Sequence, residues 1–240
     1  MGIALDQFST RPLMKMPSIQ FSFKWSLCLA AGLLMVSLGA GASASGALDL
    51  IIGQARSYAG PEEALSNVTS IHYTGRLLSD DRTTGTVDII FQKPLFQIIV
   101  IEIENIRETT ALSGYDAWRK VEDMNNEVDW QLTLLEAPQI RRLQANVWEN
   151  LNWFRRIDKR NAKVVYDGRE EIDGVVCDRV SYLHGDNIRF IRYFHTETGR
   201  LVFTETEQGD QSREEGEIME FSIRFPERVV TSINDQSSAI

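Results

Sequence analysis

The sequence predicts an α+β protein dominated by antiparallel sheet. Three observations carry that expectation. Helix-spaced apolar residues recur in only two stretches beyond the first 44 residues, the segments between and after them read as strands separated by turn residues, and strands and helices never alternate as parallel βαβ units require.

The first 44 residues stand apart from the fold. Arg11, Lys15 and Lys24 precede an uninterrupted apolar and small stretch, WSLCLAAGLLMVSLG, running from Trp25 to Gly39, and small residues follow as AGASASGA. An apolar core behind basic residues, closing on an A-x-A pattern at Ala42-Ser43-Ala44, is the pattern a signal peptidase cuts. Residues 1–44 are therefore expected to be a signal peptide, with the mature chain beginning near Ser45. The apolar core is shorter than the ~20 residues a spanning helix needs, and no stop-transfer charges follow it. Cys28 stands at the start of that core without small residues before it, unlike a lipid-attachment site, and Asp6 occupies the place where N-myristoylation wants Ser or Thr. Met1, Met14 and Met16 all remain open as the start of translation.

Charge and cysteine content narrow the function classes. The full chain has 25 basic and 34 acidic side chains, and without residues 1–44 the balance is 22 against 33, a net charge of −11. That balance disfavours a nucleic-acid partner, since phosphate binding needs positive charge facing the ligand. Cys177 is the single cysteine of the mature part, so an exported protein of this sequence holds together by its core and not by a disulfide. One domain is expected over 45–233, with the polar tail 234–240 frayed.

Element by element, Leu48, Ile51, Ile52, Ala55 and Ala59 recur at helical spacing until Gly60-Pro61 stops the run. From Ser70 to Val121 come SIHYTGRLL, TGTVDIIFQ, LFQIIVIEIE, IRETTALSG and YDAWRKV, rich in β-branched and aromatic residues and expected to form consecutive antiparallel strands. Between Phe96 and Ile103 both alternating sets are apolar, which predicts a strand covered on both faces. The one long helix is expected over 139–155: Pro138 suits its first turn, Ile140, Leu143, Val147, Leu151 and Phe154 share one stripe, Trp148 sits at its edge and Trp153 points away. After Ala162 the strands resume as KVVYDGREEI, GVVCDRVSYLH, IRFIRYFHT, RLVFTETEQ, EIMEFSIRF and ERVVTSI.

Catalytic signals are thin. A two-residue turn at Asp186-Asn187 sets Val180 opposite Tyr193, Asp178 opposite His195 and Cys177 opposite Thr196, which keeps the apolar side chains on one face and separates the cysteine from both nearby histidines. A register one residue different brings Cys177 to His195 but sets Val180 against Arg192 on the apolar face. Without a Cys-His pair no thiolate is activated, and no enzyme activity is expected. His72, His184 and His195 are scattered, with no HExxH or CxxC, so no metal or other cofactor is expected. No G-x-S-x-G elbow, Walker loop or dinucleotide fingerprint occurs in the mature chain. Glu214, Glu215, Glu217 and Glu220 read as a solvated acidic edge.

One basic cluster runs against the acidic trend. Arg155, Arg156, Lys159 and Arg160 follow the long helix, where cations complement the helix dipole. Together with Trp153 they also form a candidate contact for a membrane surface or an envelope protein.

The run GTVDIIFQKPLFQI, with Lys93, Pro94 and Phe96, followed by ALSGYDAW at Ser113 to Trp118, resembles the LolA/LolB-like family of outer-membrane lipoprotein carriers. The order of elements from Leu48 to about Ile233 is similar as well. The resemblance implies an unclosed (half) β-barrel with a helical lid, wrapped around an apolar cavity that shields acyl chains from water, in a protein exported to the periplasm of a Gram-negative cell. The family's basic residue before that proline is typically Arg, tied to lid opening, and here it is Lys93. On this reading the cavity lies between the sheet and helix 139–155, lined by Phe91, Phe96, Ile98, Val100, Trp118, Trp148 and Phe154, with Lys93 at the lid or a headgroup. The partners would be a lipid or lipoprotein acyl chains, and the role outer-membrane lipoprotein or lipid transport. The alternative is a non-catalytic envelope interaction or regulatory module with a dry core.

Overall fold

The computed structural model describes residues 43–240 except 80, 81, 127, 156–161, 186, 234, 235 and 240. The expected signal segment, apart from its last two residues, lies outside them. The chain opens with helices α1 (Ser43–Ala59) and α2 (Glu62–Asn67), the second unforeseen because the Gly60-Pro61 stop was expected to end helical structure there. Six strands follow: β1 (Ser70–Ser79), β2 (Arg82–Gln92), β3 (Phe96–Ile103), β4 (Ile106–Ser113), β5 (Asp116–Asp123) and β6 (Trp130–Leu134). Helix α3 (Ala137–Leu151) leads to β7 (Lys163–Ile172), β8 (Val175–Leu183), β9 (Arg189–His195), β10 (Leu201–Thr206) and β11 (Gln211–Glu215). The chain closes with β12 (Ile218–Glu220), β13 (Ile223–Phe225), β14 (Arg228–Ile233) and β15 (Gln236–Ala239).

Thirteen strands make one antiparallel sheet in the order β6-β5-β4-β3-β2-β1-β15-β14-β11-β10-β9-β8-β7. The sheet is unclosed, with β6 and β7 as free edges. Its two halves join through the C-terminal residues: β15 pairs along β14 and reaches β1 at Leu78–Ala239. The tail expected to fray is thus a ladder strand, because the backbone donors and acceptors of β1 and β14 offer even a polar segment a place to pair. The predicted single strand EIMEFSIRF is instead the hairpin β12–β13, turning at Phe221 and Ser222 with φ of 49° and 65°. Two successive positive φ values belong to a type I′ turn, a conformation the sequence does not advertise because neither residue is Gly or Asn.

The helices lie on one face, here the inner face. Ile71, Phe91, Gln97, Leu112 and Ala117 are successive cross-strand partners on it, as are Tyr73, Ile89 and Ile99. Ala59, Leu65, Val147, Leu151 and Ile223 pack against this half in one core. A second core joins Leu48, Ile52 and Ala55 of α1 and Ala145 of α3 to Val180, Tyr182, Phe190 and Phe194. Cys177, Ile191, Tyr193 and Phe203 form a third cluster on the other face of the same strands. Side chains are therefore buried on both faces of β8–β10.

The doubly apolar strand is where expectation and structure part. On the inner face of β3 sits Gln97, fully buried, its amide oxygen accepting from Asn146 of α3 at 3.2 Å. Phe96, Ile98 and Val100 lie on the outer face, half-buried by their neighbours in the sheet. α3 is the helix that contacts β3, and it does so on the face of Gln97, so the second apolar set of β3 is sheltered by adjacent strands.

α3 begins as predicted, with Pro138 in its first turn and a capping box in which the Glu136 backbone N–H donates to Gln139 Oε1 at 2.9 Å. It stops at Leu151, four residues short of the expected end. Asn152 caps it, its side-chain amide donating to the Trp148 carbonyl at 2.8 Å, and Trp153 and Phe154 both turn left-handed at φ 51° and 65°. That reversal sends Trp153, expected on the solvent side, into the core beside Leu151.

Candidate ligand-binding cavity

Between the inner face, α1, α3 and the β12–β13 hairpin lies a cavity of about 1200 Å³. Its floor is apolar. Ile89, Phe91 and Ile99 come from β2 and β3, and Tyr73 contacts Phe91 and Phe225 edge-to-face at centroid distances of 6.4 and 5.9 Å. Trp153 meets Phe225 at 5.5 Å, so the hairpin's aromatic residue closes the cluster from the far side.

The turn that carries Trp153 and Phe154 is held from two directions. The buried Arg56 of α1 donates from Nη1 to the Asn152 carbonyl at 3.1 Å and the Trp153 carbonyl at 2.7 Å. The Tyr182 hydroxyl donates to the Phe154 carbonyl at 3.1 Å. Left-handed backbone costs a bulky L-residue roughly 1–2 kcal/mol, and these hydrogen bonds offset it. Burial pushes the Tyr182 phenol up, so it keeps the proton it donates, whereas the same burial lowers the Arg56 guanidinium from its ordinary value.

The other wall is charged. Glu149 on α3 has a side chain only 2% exposed, and its two oxygens are divided: Oε1 lies 2.8 Å from His184 Nε2 and Oε2 is 3.0 Å from Arg192 Nη2. Arg192 also stacks on the rings of Phe154 and Tyr182 at 4.9 and 5.4 Å. Arg142 of α3 pairs with Glu207 and lies 4.9 Å over the Phe190 ring, a second polar tie between helix and sheet. Glu214 on β11 faces the same space, and burial pushes its carboxyl up to about 7 despite the opposing pull of Arg192 and Arg200.

The cysteine-histidine register resolves against the expected pairing. The β8–β9 loop is one residue longer than a two-residue turn: the His184 N–H donates to the Ile188 carbonyl at 2.9 Å, and Cys177 falls opposite His195 with Val180 opposite Arg192. The charge that made this register look unfavourable is neutralised from outside the sheet, by Glu149. Asp178 accepts from Tyr166 at 2.9 Å and Arg169 at 3.2 Å, and His195 Nδ1 is 3.0 Å from Thr198 Oγ1, so the expected Asp178–His195 pair does not form. Cys177 is fully buried, and burial first, then Asp178, pushes its thiol up, away from thiolate character. Among the described residues no three His, Cys, Asp or Glu side chains gather to hold a metal, and no helix is long and apolar enough to cross a membrane.

Of the seven predicted lining residues, Phe91 and Phe154 line the cavity. Trp148 lies instead with Lys93, Pro94 and Val147 around a separate pocket of about 160 Å³ behind α3. Phe96, Ile98, Val100 and Trp118 belong to the outer face and do not reach the cavity. On β3 the reason is that the polar Gln97 marks the inner face, which turns its apolar neighbours Phe96 and Ile98 outward. Lys93 donates to the Val68 carbonyl at 2.5 Å, tying the β2–β3 turn to the end of α2, and burial lowers its pKa. Trp153 is a wall of the cavity and not an exposed tip. Arg155 pairs with Glu62 and donates to Ser66 Oγ at 3.0 Å, while Arg156, Lys159 and Arg160 lie outside the described residues. Glu214, expected on a solvated acidic edge, faces the cavity instead, and Tyr73, Phe225, Glu149 and Arg192 carry no local signal beyond an ionisable or aromatic side chain at an inward-facing position.

No family model matches the sequence, and no curated protein matches it. Solved structures do. The chain is similar to a DUF1329 family protein from Desulfovibrio piger at 9% identity and a TM-score of 0.46, and to a LolA superfamily protein from Nitrosomonas europaea at 14% identity and a TM-score of 0.47. Each comparison covers 80% of this chain and 89% of the other. Likenesses this distant bear on neither ligand nor mechanism.

Proposed function

We propose that this is an exported, periplasmic, non-catalytic binding protein that holds a lipid, or the acyl chains of a lipoprotein, for transport toward an outer membrane. The observation that supports the reading is the cavity of about 1200 Å³ with a floor of Tyr73, Ile89, Phe91, Ile99, Trp153 and Phe225. A space of that size exceeds the ~300–1,000 Å³ of ordinary small-molecule pockets, and its aromatic and branched floor suits chains that bind by burial. Residues 1–44 would direct export, and their apolar core fits the part.

Binding by burial makes a quantitative demand. Each methylene removed from water contributes about 0.8 kcal/mol, so two more methylenes should tighten a fatty-acid probe roughly tenfold until the cavity is filled. Titration with fluorescent fatty acids of increasing length tests this, and affinity flat with chain length would sink it. Native mass spectrometry of the exported protein, followed by solvent extraction, would name the natural cargo.

A further inference from the structure

The cavity has an end that acyl chains do not explain. Glu214 shares the cavity with both apolar and charged side chains, and its charge is felt by the Tyr73 phenol, Arg192 and Arg200. All four residues line the cavity. Arg192 is already committed, since Glu149 neutralises it while also holding His184. Arg200 and Glu214 are not. Among the described residues neither side chain makes a hydrogen bond or an ion pair, in a protein where Arg56, Arg107, Arg142 and Arg213 all find carboxylates. A half-buried carboxyl left unpaired is costly in the empty protein, and that cost is recovered when a ligand brings the missing partner.

We propose that Glu214 and Arg200 receive the headgroup of a zwitterionic amphiphile, its ammonium on Glu214 and its phosphate on the Arg200 guanidinium. The inference rests on the acyl-binding reading and adds the class of ligand. Charge balance favours it over the simpler alternatives. A purely anionic headgroup would satisfy Arg200 but set a second negative charge against Glu214, and a purely cationic one would do the reverse. An aminoalkyl phosphate answers both uncommitted charges and leaves the local sum unchanged.

The test compares three pyrene-labelled probes with identical acyl chains on the purified protein: phosphatidylethanolamine, phosphatidylglycerol and diacylglycerol. The expected result is that phosphatidylethanolamine binds about tenfold more tightly than phosphatidylglycerol, one charge-assisted contact's worth of affinity. Glu214→Gln should erase that preference while diacylglycerol uptake persists. Arg200→Gln should weaken both phospholipids relative to diacylglycerol, which keeps the outcome readable if the first variant folds poorly. Equal uptake of all three probes would overturn the headgroup site and leave the acyl-binding cavity standing. Uptake of none would overturn both.

Discussion

Glu149→Gln is the perturbation with the largest calculable consequence. The substitution keeps the shape of the side chain and removes the charge that neutralises Arg192, whose own side chain is 10% exposed between the rings of Phe154 and Tyr182. It also weakens the contact of Oε1 with His184. Removing one partner of a buried ion pair strands the other and costs about 3–5 kcal/mol, a large share of the roughly 5–15 kcal/mol by which domains are stable. For a chain of this size that corresponds to a fall in Tm of about 10 °C. Urea unfolding followed by tryptophan fluorescence reads it directly, with Trp153 at the cavity wall as a reporter. The double variant Glu149→Gln, Arg192→Met should recover much of the loss, because a Met can pack between the same two rings without a charge to neutralise. A loss below about 1 kcal/mol in the single variant, or no recovery in the double, would show that Glu149 is not what permits Arg192 on the inner face.

Glu214 should make the empty protein less stable as pH rises. Its folded carboxyl titrates at about 7 against an ordinary 4.5, so the folded state keeps a proton that the unfolded chain has released, and this contribution is lost between pH 4.5 and 7. Half-buried as it is, it should account for about 1–3 kcal/mol, seen as a difference in pH slope between wild type and Glu214→Gln; parallel slopes would contradict the assignment. Gly199 turns at φ 76° with the α1 backbone so close that a Cβ would sit 2.6 Å from the Gln54 carbonyl carbon, so Gly199→Ala should cost at least about 2 kcal/mol in denaturant unfolding. Cys177, fully buried with its thiol pushed up, should stay unmodified by a thiol reagent at neutral pH until the protein is unfolded, and rapid labelling of the native protein would reopen the question of its reactivity.

Several elements were legible in the sequence because their causes are local. Helix spacing from Leu48 to Ala59 ends where Pro61 forbids its continuation, and Pro138 opens α3. β-branched runs such as KVVYDGREEI became strands at those very residues, as β7. The class, α+β with an antiparallel sheet, follows from that order of elements, whereas an unclosed sheet was implied only by the resemblance. The end of α3 was not legible, because Trp153 and Phe154 adopt left-handed backbone only against hydrogen bonds from Arg56 and Tyr182, 97 and 28 positions away in the chain.

What the sequence determined by itself was the kind and order of its main elements, though not α2, β6, the β12–β13 hairpin or β15, since propensity, capping and periodicity act over a few residues. The tertiary structure decided which face is inside. Gln97 points inward because Asn146 of α3 supplies its partner, and Val180 stands opposite Arg192 because Glu149, also on α3, neutralises the guanidinium. A polar residue is read as outward from its neighbours alone, and only a partner brought from elsewhere in the chain reverses that sign. The candidate site is built where such reversals gather, so the cavity with its charged wall came into view only once α3 was laid across the sheet.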